Sequence, residues 1–390
     1  MPLALLALTI SAFAIGTTEF VIVGLIPTIA EQLGVTVPSA GLLVTIYALG
    51  VAIGAPVLTA LTSRIPRKLL LVGLMVLFTL GNLLAWQSPS YESLVVARLL
   101  TGLAHGVFFS IGSTIATSLV AKEKAASAIA IMFGGLTVAL VTGVPLGTFI
   151  GQQFGWRETF LAVSLIGAVA TLASIILVPS NIKNQGSAGV REQLKVLTHP
   201  RLLLIYAITA LGYGGVFTTF TFLAPMMQEM AGFSAPTVSW ILLAYGVAVA
   251  VGNIWGGKLA DRHGAVRALS FIFAALAVLL LFQFTASHSI AALLTVIVMG
   301  VFAFGNVPGL QVYVVQKAAQ YTPNAVDVAS GLNIAAFNIG IALGSVIGGQ
   351  TVASLGLAQT PWIGALIVVV ALLLVSLSGR LDKKSQLQTA

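Results

Sequence analysis

Residues 27–64 read PTIAEQLGVTVPSAGLLVTIYALGVAIGAPVLTALTSR, and residues 225–262 read PMMQEMAGFSAPTVSWILLAYGVAVAVGNIWGGKLADR. A shift of 198 residues lays one on the other without a gap. Pro27 falls on Pro225, Glu31 on Glu229, Gly34 on Gly232 and Pro38 on Pro236. Tyr47 then falls on Tyr245, Gly54 on Gly252, Leu61 on Leu259 and Arg64 on Arg262, and further along Gly102 meets Gly300. Apolar segments share Gly and Leu by chance, but chance rarely aligns loop prolines, an acid and an arginine as well. The chain reads as two copies of one unit.

Composition says what that unit is. The chain has 390 residues, 58% of them hydrophobic and 7% charged, with a mean hydropathy of +1.07. Soluble domains carry roughly 25% charged residues. A bilayer core about 30 Å thick needs roughly 20 apolar residues per helix. Twelve stretches qualify: 3–27, 38–62, 69–87, 91–119, 126–150, 158–178, 202–228, 237–258, 267–286, 290–316, 328–353 and 359–378. The first is too long for a signal-peptide core and lacks a basic leader, so it reads as a retained span. The expectation is an all-α integral membrane protein with twelve transmembrane helices in two pseudo-symmetric six-helix bundles. Residues 1–178 form one bundle and 201–390 the other. The polar stretch 179–200, with Asn184, Gln185, Gly186 and Ser187, links them. Parallel repeats of six spans suit a transporter.

Lys and Arg set the orientation. With the N-terminus inside, the inner loops and tail carry residues such as Arg67, Lys68, Lys122, Lys124, Arg262, Arg267, Lys317, Arg380 and Lys383, while the outer side keeps only Arg157. Both termini are therefore expected in the cytoplasm, with the protein in the inner membrane. The net charge of +8 lies in short loops and forms no basic domain, which argues against a nucleic-acid partner. The absence of cysteine removes thiol catalysis, disulfides and zinc thiolates. No catalytic residue, metal site or cofactor is expected, and there is no Walker loop to supply ATP drive. The expected partners are a small-molecule substrate, protons and the lipid bilayer, with the chain a monomer.

Two charges lie deep within apolar sequence: Glu19 in the first span and Arg98 in the fourth. A charge in hydrocarbon costs several kcal/mol unless it is paired or faces water, and such residues commonly mark a transport path. Helical rise puts Glu19 about 12 Å below the end of its span at Pro27, and Arg98 about 9 Å beyond Glu92. The depths are similar, so the two can pair or share water. Desolvation favours the neutral acid and a nearby cation favours the carboxylate. Their balance can make Glu19 a proton-coupling site tuned by Arg98; the plainer alternative is a static pair that fixes helix packing. His105 lies two turns past Arg98 on the same face, as a relay or an interhelical hydrogen bond. In the second half, Tyr213, Thr218, Asn306, Gln311, Asn333 and Asn338 are cavity candidates, and interhelical hydrogen bonding is the competing role for each.

Gly257-Lys258-Leu259-Ala260-Asp261-Arg262-His263-Gly264 resembles the signature loop of the major facilitator superfamily, G-x-x-x-D-R-x-G. The resemblance implies the major facilitator fold, with Arg64, Asp261 and Arg262 in gating loops. The first-half loop departs from the pattern, with Ser63 in place of the acid and Pro66 in place of the glycine. Arg98 with Gly102 resembles the family's R-x-x-x-G motif of proton-coupled members. Gly143-Val144-Pro145-Leu146-Gly147 is similar to a degenerate antiporter motif of the drug/proton antiporters. Thr17-Thr18-Glu19-Phe20 resembles the first-span signature of the bacterial sugar-efflux, purine-efflux and chloramphenicol-resistance exporters. These resemblances imply a proton-coupled antiporter that exports drug-like compounds, sugars or nucleosides by alternating access, a reading that extends to multidrug efflux and antibiotic resistance. The alternatives are a metabolite facilitator without proton coupling and, more remotely, an intramembrane enzyme or sensor. The last lacks an H-E-x-x-H motif or paired embedded carboxylates.

Overall fold

The computed structural model describes residues 3–62, 65–120, 125–180, 182, 196–278, 282 and 285–389. Among them the fold is helical, without a strand. We name the principal helices α1 (Leu3–Leu33), α2 (Val37–Ile53), α3 (Arg67–Trp86), α4 (Tyr91–Ser118) and α6 (Trp156–Leu177). Between the last two, α5 runs as Ala125–Val138, a π turn at Ala139–Gly143, and Val144–Phe154. Then come α7 (Pro200–Phe220), α8 (Ala235–His263), α9 (Ala265–Ala275), α10 (Ser289–Tyr321), α11 (Val326–Leu355) and α12 (Thr360–Thr389). Among the described residues eleven helical segments are long and apolar enough to cross a membrane, and Ala265–Ala275 is a shorter apolar helix at the expected ninth span. The protein is a multi-pass membrane protein. The expected linker at 179–200 lies largely outside the described residues, as does Arg64.

The chain divides into two compact units: residues 1–187 with 234–243, and residues 188–233 with 244–390. In the first, α1 packs on α2, α5 and α6, while α3 packs on α4 and α6. In the second, α7 packs on α11 and α12, while α9 packs on α10 and α12. The first unit's α1–α5, α1–α6, α3–α4 and α3–α6 pairs thus recur as α7–α11, α7–α12, α9–α10 and α9–α12.

The 198-residue shift governs local structure too. It carries the starts of α2, α3 and α4 at Val37, Arg67 and Tyr91 onto those of α8, α9 and α10 at Ala235, Ala265 and Ser289. Gly34 and its counterpart Gly232 both adopt positive φ, +64° and +72°, the left-handed geometry that glycine enters without steric cost. The N–H of Val35 then donates to Ala30 O at 3.0 Å, and the N–H of Phe233 to Met227 O at 2.9 Å. The Thr36–Ser39 hydroxyl pair before α2 (2.9 Å) returns as Ser234–Thr237 before α8 (2.8 Å).

Glycine also sets how closely α2 approaches α4. A β-carbon on Gly102 would strike the carbonyl oxygen of Tyr47, and one on Gly50 would lie 2.8 Å from Leu99 O. In the second unit Gly252 and Gly256 meet the carbonyl oxygens of Val301 and Gly305 in the same way. Lipid supplies no hydrophobic drive for helix association, so close van der Waals packing at such small residues does that work. The π turns answer to proline. One spans Gly54–Leu58 and contains Pro56; another, Ala139–Gly143, ends just before Pro145. Proline has no N–H and clashes with the carbonyl four residues back, and a locally widened turn relieves both.

Candidate functional site

The middle of α1 is buried all the way round, from Ala14 to Ile26. Glu19 therefore has no water-facing side to turn to; 9% of its surface is accessible. Arg98 on α4 is 1% accessible. Of the two arrangements left open, pairing or a shared network, the described residues show no direct side-chain pair. Arg98 Nη1 donates to the carbonyl oxygen of Thr18 at 2.7 Å, and Nε donates to that of Leu43 at 3.3 Å. Its guanidinium carbon stands 4.1 Å from the centre of the Tyr47 ring. The cation is thus held by two carbonyls and an aromatic face, drawing α1, α2 and α4 together. Among the described residues no ion pair joins Arg98 to Glu19, and Arg98 Nη2 is buried without a hydrogen-bond partner.

Glu19 faces His105 instead, with Oε2 4.0 Å from Nδ1. The same ring nitrogen shares a 3.0 Å hydrogen bond with the Tyr47 hydroxyl. Tyr47 is therefore the hub: its ring faces Arg98 and its hydroxyl meets His105. The ring of Phe109, one turn along α4, lies 4.9 Å from that of His105 and covers it. On the flank, Thr18 Oγ1 donates to Asn82 Oδ1 on α3 at 2.7 Å, and Asn82 Nδ2 donates to Phe78 O at 2.9 Å. The local order of α1 explains the split. Thr18 directs its carbonyl to Arg98 and its hydroxyl to α3, while the next side chain, Glu19, points to His105. Tyr47 and Asn82 are members that sequence reasoning left out. The signal for Tyr47 was present as a buried tyrosine repeated at Tyr245; Asn82, a lone amide in an apolar span, was the other.

The antiporter-like stretch of α5 lies against the same part of α1. A β-carbon on Gly143 would strike Thr17 Oγ1, and one on Gly147 would lie 2.7 Å from Val21 Cγ2. Pro145 is buried between them. This segment bounds the site through backbone packing and brings no charge of its own.

The second-half candidates do not gather at one point. Thr209 Oγ1 donates to Asn333 Oδ1 at 2.8 Å, Asn333 Nδ2 donates to Gln311 Oε1 at 3.0 Å, and Gln311 Nε2 donates to Ser330 Oγ. That chain ties α7, α10 and α11, the interhelical role set against a cavity role for Gln311 and Asn333. Thr218 donates to Gly214 O within its own helix. Tyr213 sits among the rings of Phe217, Phe304 and Phe337. Asn306 and Asn338 bond their amide nitrogens to Ala303 O and Ile334 O, leaving both Oδ1 atoms buried and unpartnered. Arg262 is exposed at the end of α8, and the side chain of Asp261 lies outside the described residues.

A further network was not expected. Asp382, near the end of α12, accepts from Arg201, from Lys317 Nζ at 2.8 Å and from the Tyr313 hydroxyl at 3.0 Å. It fastens the ends of α7, α10 and α12. The Tyr313 hydroxyl also meets that of Ser378.

The family model described as Major Facilitator Superfamily matches residues 8–320 and 207–389. The MFS-type transporter YtbD of Bacillus subtilis is 54% identical over 384 residues, covering 98% of this chain and 97% of that protein. The inner membrane transport protein YdhP of Escherichia coli K12 is 41% identical, with 96% of each chain covered. Among solved structures, the nucleoside transporter NupG superposes with a TM-score of 0.78 at 16% identity, covering 96% of this chain and 99% of that one.

Proposed function

The chain belongs to the Major Facilitator Superfamily, and from that premise we propose that it is a proton-coupled antiporter exporting small organic molecules. One observation carries this reading: a buried carboxylic acid in the first unit faces a histidine, while the nearby arginine keeps one guanidinium nitrogen unpartnered.

With a proton on Glu19, Arg98 stays on the carbonyls of Thr18 and Leu43 and on Tyr47. When Glu19 loses its proton, a buried anion results, and an isolated buried charge is costly. Arg98 Nη2 is free to answer it. A shift of the guanidinium toward Glu19 weakens its hold on the Thr18 carbonyl and alters the contact of α1 with α2 and α4. Proton loss and helix packing are thereby linked. The tight contact of Gly143 and Gly147 with α1 transmits that change to α5. His105 and Tyr47 form the short path by which the proton arrives or leaves. Arg64, Asp261 and Arg262 act in the gating loops, both termini lie in the cytoplasm and the chain works as a monomer in the inner membrane. Residues 1–178 and 201–390 are the bundles that alternate access.

The cargo is small and organic, and drugs, sugars and nucleosides are the classes to try. A facilitator without proton coupling is the second reading. It is favoured by the likeness to a nucleoside transporter and by the unpartnered amide oxygens of Asn306 and Asn338, which suit a neutral, hydrogen-bonding cargo.

The test uses purified protein in liposomes with a pH-sensitive dye inside and an imposed proton gradient. Substrate-triggered proton movement that Glu19→Gln abolishes supports antiport. Equal substrate flux in wild type and mutant, without proton movement, overturns it in favour of the facilitator.

A further inference from the structure

We propose that the basic end of the second unit holds an anionic phospholipid, its phosphate in a charged cavity and one acyl chain in an adjoining apolar groove. The cavity, about 560 Å³, lies at the junction of α8 and α9, against the last turns of α10 and residues 376–383 of α12. His263, Arg267, Lys317, Arg380 and Lys383 line it, with Asp382 the only acid. That acid is already occupied by Lys317, Arg201 and Tyr313. Arg267, Arg380 and Lys383 make no ion pair among the described residues, so the cavity keeps an excess of positive charge.

The backbone adds to it. Gly264 opens α9 with φ +81° and no side-chain cap, and Gly264, Ala265 and Val266 all line the cavity. The first N–H groups of a helix have no intrahelical acceptor and favour an anion. Guanidinium groups beside them match phosphate oxygens in a fork geometry.

A free phosphate would need nothing more, and it is the neighbouring groove that selects a lipid. Trp255, Leu259, Ala268 and Phe271 line a second hollow of about 320 Å³, which shares His263 and Arg267 with the first. Its polar and apolar parts are thus continuous through two side chains. Phe271 is 55% exposed, and its ring and that of Phe302 both meet Trp255 edge-on, at 6.1 and 5.6 Å. Trp255 stands eight residues before His263 on α8, so the groove extends about 12 Å from the charged end along the span. A headgroup site leading onto an apolar, aromatic-walled furrow of that length has the polarity profile of a phospholipid.

The full-length protein in mild detergent is to be studied by native mass spectrometry with palmitoyl-oleoyl phosphatidylglycerol, the matching phosphatidylcholine and inorganic phosphate. Wild type is expected to retain one phosphatidylglycerol in preference to phosphatidylcholine. Arg267→Gln with Arg380→Gln should lower that retention roughly thirtyfold, and Arg380→Gln alone, at the exposed rim, about fivefold. Lys258→Gln removes the same charge outside the cavity and should leave retention unchanged. Phe271→Asn should weaken phosphatidylglycerol but not its dihexanoyl form. Equal retention of the two lipids, or undiminished retention in the arginine variants, overturns the site. Displacement by millimolar inorganic phosphate, or no effect of Phe271→Asn, reassigns it to a free anion and overturns the lipid. Gel filtration of each variant guards against misfolding, and the single Arg380 variant keeps the test decisive if the double one does not fold.

Discussion

At positions related by 198 residues, the first half carries Glu19, Arg98 and His105 where the second carries Phe217, Val296 and Ala303. Tyr47 and Tyr245 remain tyrosines, and both are buried. Around Tyr47 the hydroxyl meets His105 and the ring faces Arg98. Around Tyr245 the ring stacks on Phe220 at 5.1 Å, and the hydroxyl has no hydrogen-bond partner. The glycine seams beside the two tyrosines are alike: Gly102 packs against Tyr47 and Gly300 against Tyr245. One helical scaffold thus supports a polar centre in one half and an aromatic one in the other. Close packing at the crossings follows from small residues shared by both halves, whereas the polar centre follows from three side chains that only the first half carries.

The two halves differ most in their buried charges. Glu19→Gln should reduce proton-driven export to background while the protein still folds, because the amide keeps the shape of the acid and cannot lose a proton. Uphill export that survives in proteoliposomes would return Glu19 to a packing role. Arg98→Gln should be the most damaging to stability. It removes two charge-assisted hydrogen bonds to carbonyls and the Tyr47 contact, and a hydrogen bond to a charged group is worth about 1.5–3 kcal/mol. A thermal melt in detergent reads this directly, and a midpoint within error of wild type would show that the arginine does not hold the three helices together.

The glycine seam offers a paired test of intermediate size. Gly102→Ala places its methyl group against the Tyr47 carbonyl, and Gly300→Ala places its own 3.0 Å from the Tyr245 ring and 3.1 Å from its carbonyl oxygen. Overpacking of this kind costs about 1–3 kcal/mol. The first-half variant should be the worse of the two, since backbone cannot step aside and a ring edge can. The reverse order in melting temperature would mean that the seams differ in give rather than in spacing.

The smallest effect is expected at the tyrosines. Tyr47→Phe deletes a hydroxyl bonded to His105, worth about 1 kcal/mol, and should also shift the pH profile of transport. Tyr245→Phe deletes a buried hydroxyl without a partner and should be neutral or stabilising by comparison. Equal destabilisation in the two would dissolve the distinction between the halves.

Much of the fold was legible in the sequence. The apolar stretches located the helices, and the repeat put the starts of α8, α9 and α10 in register with those of α2, α3 and α4. The ninth helix is described in part: α9 spans Ala265–Ala275, and Val278, Phe282 and Thr285 farther along the apolar stretch 267–286 are helical too. At the site, Glu19, Arg98 and His105 were legible because charge and imidazole stand out against hydrocarbon. Their connection was not. Arg98 takes carbonyl oxygens from residues 80 and 55 positions away, and nothing in the identity of Thr18 or Leu43 marks a carbonyl for that use. The Asp382 network was missed for a similar reason, since a C-terminal acid among lysines and arginines reads as solvated tail.

Hydropathy, the 198-residue repeat and the presence of two embedded charges were determined by sequence alone, because each depends only on residue type and position along the chain. Which charge meets which partner was decided by tertiary structure. A helix turned by a fraction of a residue, or a crossing brought closer by one glycine, changes the neighbour of a side chain without changing any letter near it. Here that rotation placed His105 beside Glu19, and Tyr47 between His105 and Arg98.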